Sequence, residues 1–254
     1  MVSITFGTIA FLIFIGIISG IINSIIGMAS LISYPALVSV GIPPVLANAS
    51  NTVALICSGV SSILASLKEL KGHLREVIPI TALTAGGGLI GSLLLLNSSN
   101  EAFSKIVPFL IFFAACSILI PKKAKADGQK TNSKTVLFWE YLILGLVGIY
   151  VGYFGAGAGV IMIAVLSKIS DSPYHVYNAT RNAATLAANL IASIIFILIA
   201  HVYWSAIIPL GIGLFIGGFI GPSIVRFIPT KIMRTGVGIF AFMLSIYLFV
   251  KAFF

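Results

Sequence analysis

Two five-residue phrases hold most of the polar chemistry of an otherwise apolar chain. Residues 48–52 read N-A-S-N-T and residues 178–182 read N-A-T-R-N. Asn48, Ser50, Asn51 and Thr52 offer neutral donors and acceptors. Asn178, Thr180 and Asn182 repeat them, and Arg181 adds a permanent charge on a planar set of donors that suits oxyanions. Each phrase follows a short apolar stretch and a proline turn, G-I-P-P with Pro43 in the first case and D-S-P with Pro173 in the second. A helix that restarts after such a break leaves unpaired backbone N–H groups of partial positive charge at its N-terminus. Together these groups suit a small anion with several oxygens. Two plainer roles stand beside that one. The Asn, Ser and Thr side chains can act as hydrogen-bonding glue between helices. Arg181, about 10 Å along its helix from Pro173 by helical rise, is within reach of the membrane interface by snorkelling. Both phrases also match the glycosylation sequon, but at or within spans they are poor acceptors.

The elements that position these residues are membrane helices. Hydrophobic residues make up 59% of the 254 and charged residues 8%, with mean hydropathy +1.15. A soluble domain carries roughly 25% charge, so an all-α polytopic protein in a lipid bilayer is expected. The apolar runs are continuous and do not alternate with polar residues, which argues against a β-barrel. Hydropathy predicts long segments near 4–26, 44–67, 77–96, 103–120, 137–158, 174–200, 203–225 and 232–250. The first is long enough to stay as a span, and no positive n-region marks it as a signal peptide. Two shorter stretches, 29–41 and 159–170, would rise only about 18 Å. They either complete a crossing or form re-entrant hairpins with their neighbours. The net charge of +9 resides in loops between spans and forms no soluble basic face, so nucleic acid is not an expected partner. Cys57 and Cys116 lie in apolar segments, as buried thiols with no disulfide framework.

The two halves align under one gapless offset of 130 residues (178 less 48). Gly27 falls on Gly157, Pro43 on Pro173, Asn48 on Asn178, Ser50 on Thr180 and Pro79 on Pro209. Gly87, Gly88 and Gly91 fall on Gly217, Gly218 and Gly221. Matched Gly, Pro and Asn each mark a special backbone or polar demand. The division predicted is a first transmembrane repeat over 1–121, a cytoplasmic linker over 122–134 and a second repeat over 135–254. Loop charge sets their orientation. Lys68, Lys71 and Arg75 mark the 68–75 loop, whose counterpart near His201 has no Lys or Arg; Arg226, Lys231 and Arg234 mark 226–234, whose counterpart 97–105 has one lysine balanced by Glu101. The bias swaps between halves, as inverted copies require. Each repeat then holds about four long helices plus one short or broken segment.

Glycines mark the breaks. G-Y-F-G-A-G-A-G-V at 152–160 places Gly155, Gly157 and Gly159 where the chain can reverse within the bilayer, and Gly27 holds the matching slot. A dinucleotide fingerprint is excluded there because no strand precedes it. G-G-G-L-I-G at 86–91 and G-G-F-I-G at 217–221 read as small-residue packing faces. The six acidic residues, Glu69, Glu76, Glu101, Asp127, Glu140 and Asp171, all fall in predicted loops or span ends. Proton-coupled cation carriers usually keep a carboxylate within the membrane, which weighs against cation exchange. His175 is the nearest titratable group to the second phrase. No metal-ligand spacing, cofactor motif or catalytic set can be assembled, so an enzyme is not expected.

With the repeat, the reversals and the N-A-[ST] phrases in place, the chain resembles the sulfite exporter TauE/SafE family of membrane permeases. The likeness rests on G-I-I-N-S-I-I-G-M-A-S-L-I-S-Y-P-A-L, on G-I-P-P-V-L-A-N-A-S-N and on G-Y-F-G-A-G-A-G-V, and it spans essentially the whole chain. It implies a multi-pass protein of a bacterial or archaeal cytoplasmic membrane, with about eight helices. It also implies a substrate among sulfur oxyanions or organosulfonates, such as sulfite, thiosulfate or sulfoacetate. The expected mechanism is alternating access, with Asn48, Ser50, Asn51 and Thr52 facing Asn178, Thr180, Arg181 and Asn182. A cell-negative interior drives an anion outward by ~2.3 kcal/mol per charge per 100 mV, so export needs no coupling ion. A passive anion channel and a carrier of another small organic anion are the alternatives.

Overall fold

The computed structural model describes residues 5–119, 134–169, 172–224 and 230–253, and no strand occurs among them. The elements are α1 (Phe6–Ile26), α2 (Ser30–Ser39), α3 (Pro44–Ala65), α4 (Leu67–Leu70), α5 (Leu74–Leu96) and α6 (Asn100–Leu119), then α7 (Lys134–Tyr153), α8 (Ala158–Ile169), α9 (Tyr174–Ile199), α10 (Trp204–Ile224) and α11 (Thr230–Phe253). The predicted linker, except its last residue, lies outside the described residues, as do Asp127, Asp171 and Arg226. Among the described residues, seven helices are long and apolar enough to cross a membrane: α1, α3, α5, α6, α9, α10 and α11. The 20 residues of α7 span about 30 Å, with Trp139–Tyr153 as the described apolar part.

Local sequence sets the ends. Pro44 opens α3 at a position where its missing N–H costs nothing, and Pro173 precedes α9 in extended conformation. The span expected over 137–158 stops at Tyr153, because the chain reverses through Phe154–Gly157 before α8 begins. The short helix α4, in the loop after α3, was not anticipated.

The outer surface is greasy. Phe14, Leu198, Phe219, Ile246 and Tyr247 are all more than half exposed. No soluble monomer keeps so large an apolar face wet, whereas hydrocarbon is its natural solvent. Inside, α3 is the most enclosed span. It packs on α10 and α9; α1 packs on α10, α5 on α7 and α9, and α6 on α11.

These partnerships fall into pairs. Helices α3 and α9 begin 130 residues apart (Pro44, Tyr174), as do α5 and α10 (Leu74, Trp204) and α6 and α11 (Asn100, Thr230). Under that offset, the α1–α10 contact corresponds to α7–α5, and α3–α10 to α9–α5. Close contacts correspond too. A Cβ added to Gly88 would lie 2.9 Å from Ala188 Cα, and one added to Gly218 would lie 3.3 Å from Ser58 Oγ. Ser58 and Ala188 are themselves 130 residues apart. The small-residue faces expected at 86–91 and 217–221 are thus helix seams, where absent side chains let backbones approach.

Candidate functional site

Two chain reversals meet at the centre of the protein. Helix α1 ends at Gly27, which sits at φ 73° while its N–H bonds Asn23 O at 2.8 Å. Only glycine adopts this left-handed cap without a steric penalty. Helix α2 then starts at Ser30. In the second half Gly155 and Gly157 take φ 72° and 77° between α7 and α8. That turn is tied down twice: Tyr150 Oη donates to Ala156 O at 2.5 Å, and Asn48 Nδ2 donates to Tyr153 O at 2.8 Å. The reversals touch, since a Cβ on Gly159 would fall 2.9 Å from Gly27 Cα. The cap that ends α1 and the first turn of α8 therefore lie side by side.

Arg181 lies over this contact. A Cβ on Gly27 would come within 2.5 Å of its Nη1. The side chain is only 1% exposed, so it does not snorkel to the protein's surface. Its Nη2 donates to Asn182 Oδ1 at 2.6 Å. Of the five N–H groups on a guanidinium, the one on Nε and the two on Nη1 meet no acceptor. The one ion pair among the described residues is Lys105–Glu101, at the surface. A buried cation without a counter-charge is costly, by several kcal/mol after relaxation. Such a group inside a membrane protein marks a functional site.

Beside the guanidinium is a cavity of about 40 Å³, room for about three waters. Gly27, Ser30, Thr52, Gly159, Arg181 and Asn182 contribute to its wall. A second space of about 330 Å³ adjoins it and shares Ser62 and Asn182 with it. This vestibule lies toward the C-terminal end of α3 and the start of α9, with Glu69, Tyr174, His175 and Asn178 in its lining. Phe154, in the inner cavity's wall, meets Tyr34 and Phe103 edge-on, with centroids 5.3 and 5.9 Å apart. All three rings are buried and form an apolar layer next to the cavity.

The eight candidate ligands divide into separate environments. Thr52, Arg181 and Asn182 line the inner cavity, and Asn178 and Asn182 line the vestibule. Asn178 Oδ1 is shielded and without a partner. Asn51 is spent on α2: its Nδ2 donates to Ser30 Oγ at 3.1 Å, and Ser33 Oγ donates to its Oδ1 at 2.6 Å. Ser50 Oγ accepts from Tyr203 N at 3.1 Å, holding the turn before α10. Thr180 and Thr52 each donate to the carbonyl four residues back, Val176 and Asn48. Asn48 holds the α7 reversal through Nδ2, while its Oδ1 has no partner. The two phrases thus do unequal work. At the offset position of Arg181, Asn51 is locked by two serines.

Several lining residues escaped sequence reasoning. Thr185 and Asn189 extend Arg181 along one face of α9 at intervals of four, a spacing that puts them in line. Asn23, one turn before Gly27, lines the cavity and donates to Ser58 Oγ at 2.8 Å. Glu69 gave no signal beyond being a loop carboxylate. Cys57 and Cys116 are free and half-buried. Among the described residues no cluster suits a metal ion.

Comparison with known proteins places this architecture. A profile described as sulfite exporter TauE/SafE matches residues 12–248. A probable membrane transporter protein of Haemophilus influenzae is 27% identical over 238 residues, covering 93% of this chain and 92% of that one. The probable membrane transporter protein YfcA of Escherichia coli K12 is 27% identical over 237 residues, 92% of this chain and 87% of its own. The probable membrane transporter protein ORF9 of a Sinorhizobium species is 27% identical over 223 residues, 87% and 84% of the two chains. No solved structure matches. The multi-pass helical fold, the glycine reversals and the match along nearly the whole chain lead to one assignment: this protein belongs to the sulfite exporter TauE/SafE family of membrane transporters.

Proposed function

We infer that the chain is a carrier of small oxyanions, with sulfur oxyanions and organosulfonates such as sulfite, thiosulfate and sulfoacetate as the substrate class. One observation carries this reading: a buried guanidinium with three unmet N–H groups and, among the described residues, no ion-pair partner, set against Gly27 and Gly159 where the two reversals touch. Donors of that kind favour negative charge, and an anion's oxygens would relieve the cost of burying the cation. Thr52 and Asn182 flank the position, and Asn182 steadies the guanidinium.

Alternating access between two inverted halves is the mechanism we favour. The paired helix contacts, α1–α10 with α7–α5 and α3–α10 with α9–α5, are those two copies related by a two-fold axis would make, and they support it. A vestibule on one side of the cavity and an aromatic layer beside it fit a carrier closed to one face. The vestibule side carries Lys68, Lys71 and Arg75 and is taken as cytoplasmic.

The test is flux in reconstituted vesicles. Labelled sulfite or thiosulfate should show saturable uptake and counterflow, and Arg181→Ala should lose both. Linear, non-saturating flux without counterflow would point to a channel instead, and full flux by Arg181→Ala would remove that residue from the mechanism.

A further inference from the structure

The vestibule holds a feature that an anion site does not explain. Glu69, from α4, lines it with Oε2 shielded and without a hydrogen-bond partner. Asn178, from the facing helix α9, lines the same space with its Oδ1 equally shielded and unpartnered. Lys68 neighbours Glu69 in sequence, and Lys71 and Arg75 follow in the same loop, yet no ion pair forms between them and Glu69. Two orphaned acceptor oxygens in one polar cavity call for a positive guest or a donated proton. An ionised carboxylate there would also repel any anion moving toward Arg181.

The geometry points to a cation site in this vestibule, at Glu69 and Asn178, taking one proton or one alkali-metal ion per anion carried. Hydroxyls of Ser24, Ser62 and Ser66 in the same lining supply further oxygens of the kind hard cations prefer. The guest neutralises Glu69, removes its repulsion of the passing anion and makes anion transport respond to a cation gradient. This rests on the oxyanion-carrier reading above and assigns that carrier its coupling ion. The other titratable groups around Glu69 are known. Tyr174 and His175 of α9 share the vestibule, while α1 and α3 contribute no titratable side chain to it. Nearby, His73 Nδ1 and Glu76 Oε2 lie 3.3 and 3.2 Å from Ser172 Oγ. Glu76→Gln and Glu101→Gln, carboxylates outside the vestibule lining, are therefore the controls.

The experiment uses the full chain in vesicles loaded with thiosulfate. Sodium-free choline buffers with an imposed pH gradient form one arm, and a sodium gradient at equal pH forms the other. Wild type should accumulate labelled thiosulfate in one arm. Glu69→Gln should lose gradient-driven accumulation in that arm while keeping counterflow, and the two control variants should keep both. Wild-type counterflow with no response to either gradient overturns the cation site and leaves the oxyanion reading standing. So does a Glu69→Gln variant coupled as well as wild type. Absence of wild-type counterflow overturns the oxyanion reading itself. Should Glu69→Gln be inert, its melting temperature decides: a sodium- or acid-dependent rise present in wild type and absent from the variant supports the site, and equal responses overturn it.

Discussion

Replacing Arg181 with methionine separates the cost of the guanidinium from its use. Methionine is long and flexible enough to fill the space between Gly27 and Gly159 without a charge. In the wild type the buried cation has one strong partner, Asn182 Oδ1 at 2.6 Å, and three unmet N–H groups. Replacement of buried charged groups by apolar ones of similar volume is often neutral or stabilising, by about 1–4 kcal/mol. Without ligand, Arg181→Met should therefore melt no lower than wild type. With oxyanion present the order should reverse. A ligand at a hundred times its Kd adds about 2.7 kcal/mol, or about 5–10 °C for a chain of this size, and only wild type has the site to receive it. Trp139 and Trp204 provide an intrinsic fluorescence signal for thermal unfolding in detergent. Titration with thiosulfate should be matched by chloride at equal ionic strength, to remove plain screening. An equal thiosulfate-induced rise in Arg181→Met would refute the reasoning. A large loss of stability without ligand would also count against it, since the guanidinium would then be a structural tie.

The contact between the two reversals makes a second, sharper prediction. Gly159→Ala pushes a methyl to within 2.9 Å of Gly27 Cα and O, which should cost about 1–3 kcal/mol and abolish the anion-induced rise. Gly86→Ala, where nothing lies within 4 Å, should be neutral or stabilising by about 0.5–1 kcal/mol; equal effects in a melting assay would show that the crossing is not tight. Asn51→Ala strips the buried bonds to Ser30 and Ser33 and should lower stability by about 1–3 kcal/mol while the anion response persists. Loss of that response at unchanged stability would make Asn51 a ligand after all.

Much of the scaffold was legible because its signals are local. Hydrophobic runs of sufficient length mark spans whatever surrounds them. Gly27, Gly155 and Gly157 mark reversals because their backbone angles exclude other residues. Repetition of Asn and Pro at a fixed offset pointed to the middle of the protein, where α2, α3, α8 and α9 do meet. What could not be read was which polar atoms were already engaged. Asn51 and Arg181 occupy matching positions, but Ser30 and Ser33 on another helix satisfy the first, and nothing comparable reaches the second. Asn48 looked like a ligand, yet its amide holds a carbonyl 105 positions away, at Tyr153. Glu69 read as a loop carboxylate; its place in the vestibule depends on α4 folding back against α9. Hydrogen-bond partners drawn from distant helices leave no periodic trace.

The central claim is that the unmet donors of Arg181 receive the transported oxyanion. A structure of the protein soaked with selenate, located by its anomalous scattering, tests this most directly. Selenium density within hydrogen-bonding reach of Arg181 Nη1 or Nε, between Gly27 and Gly159, is the predicted result. Selenate ordered elsewhere with that cavity empty, or Arg181 turned onto a carboxylate, would contradict it.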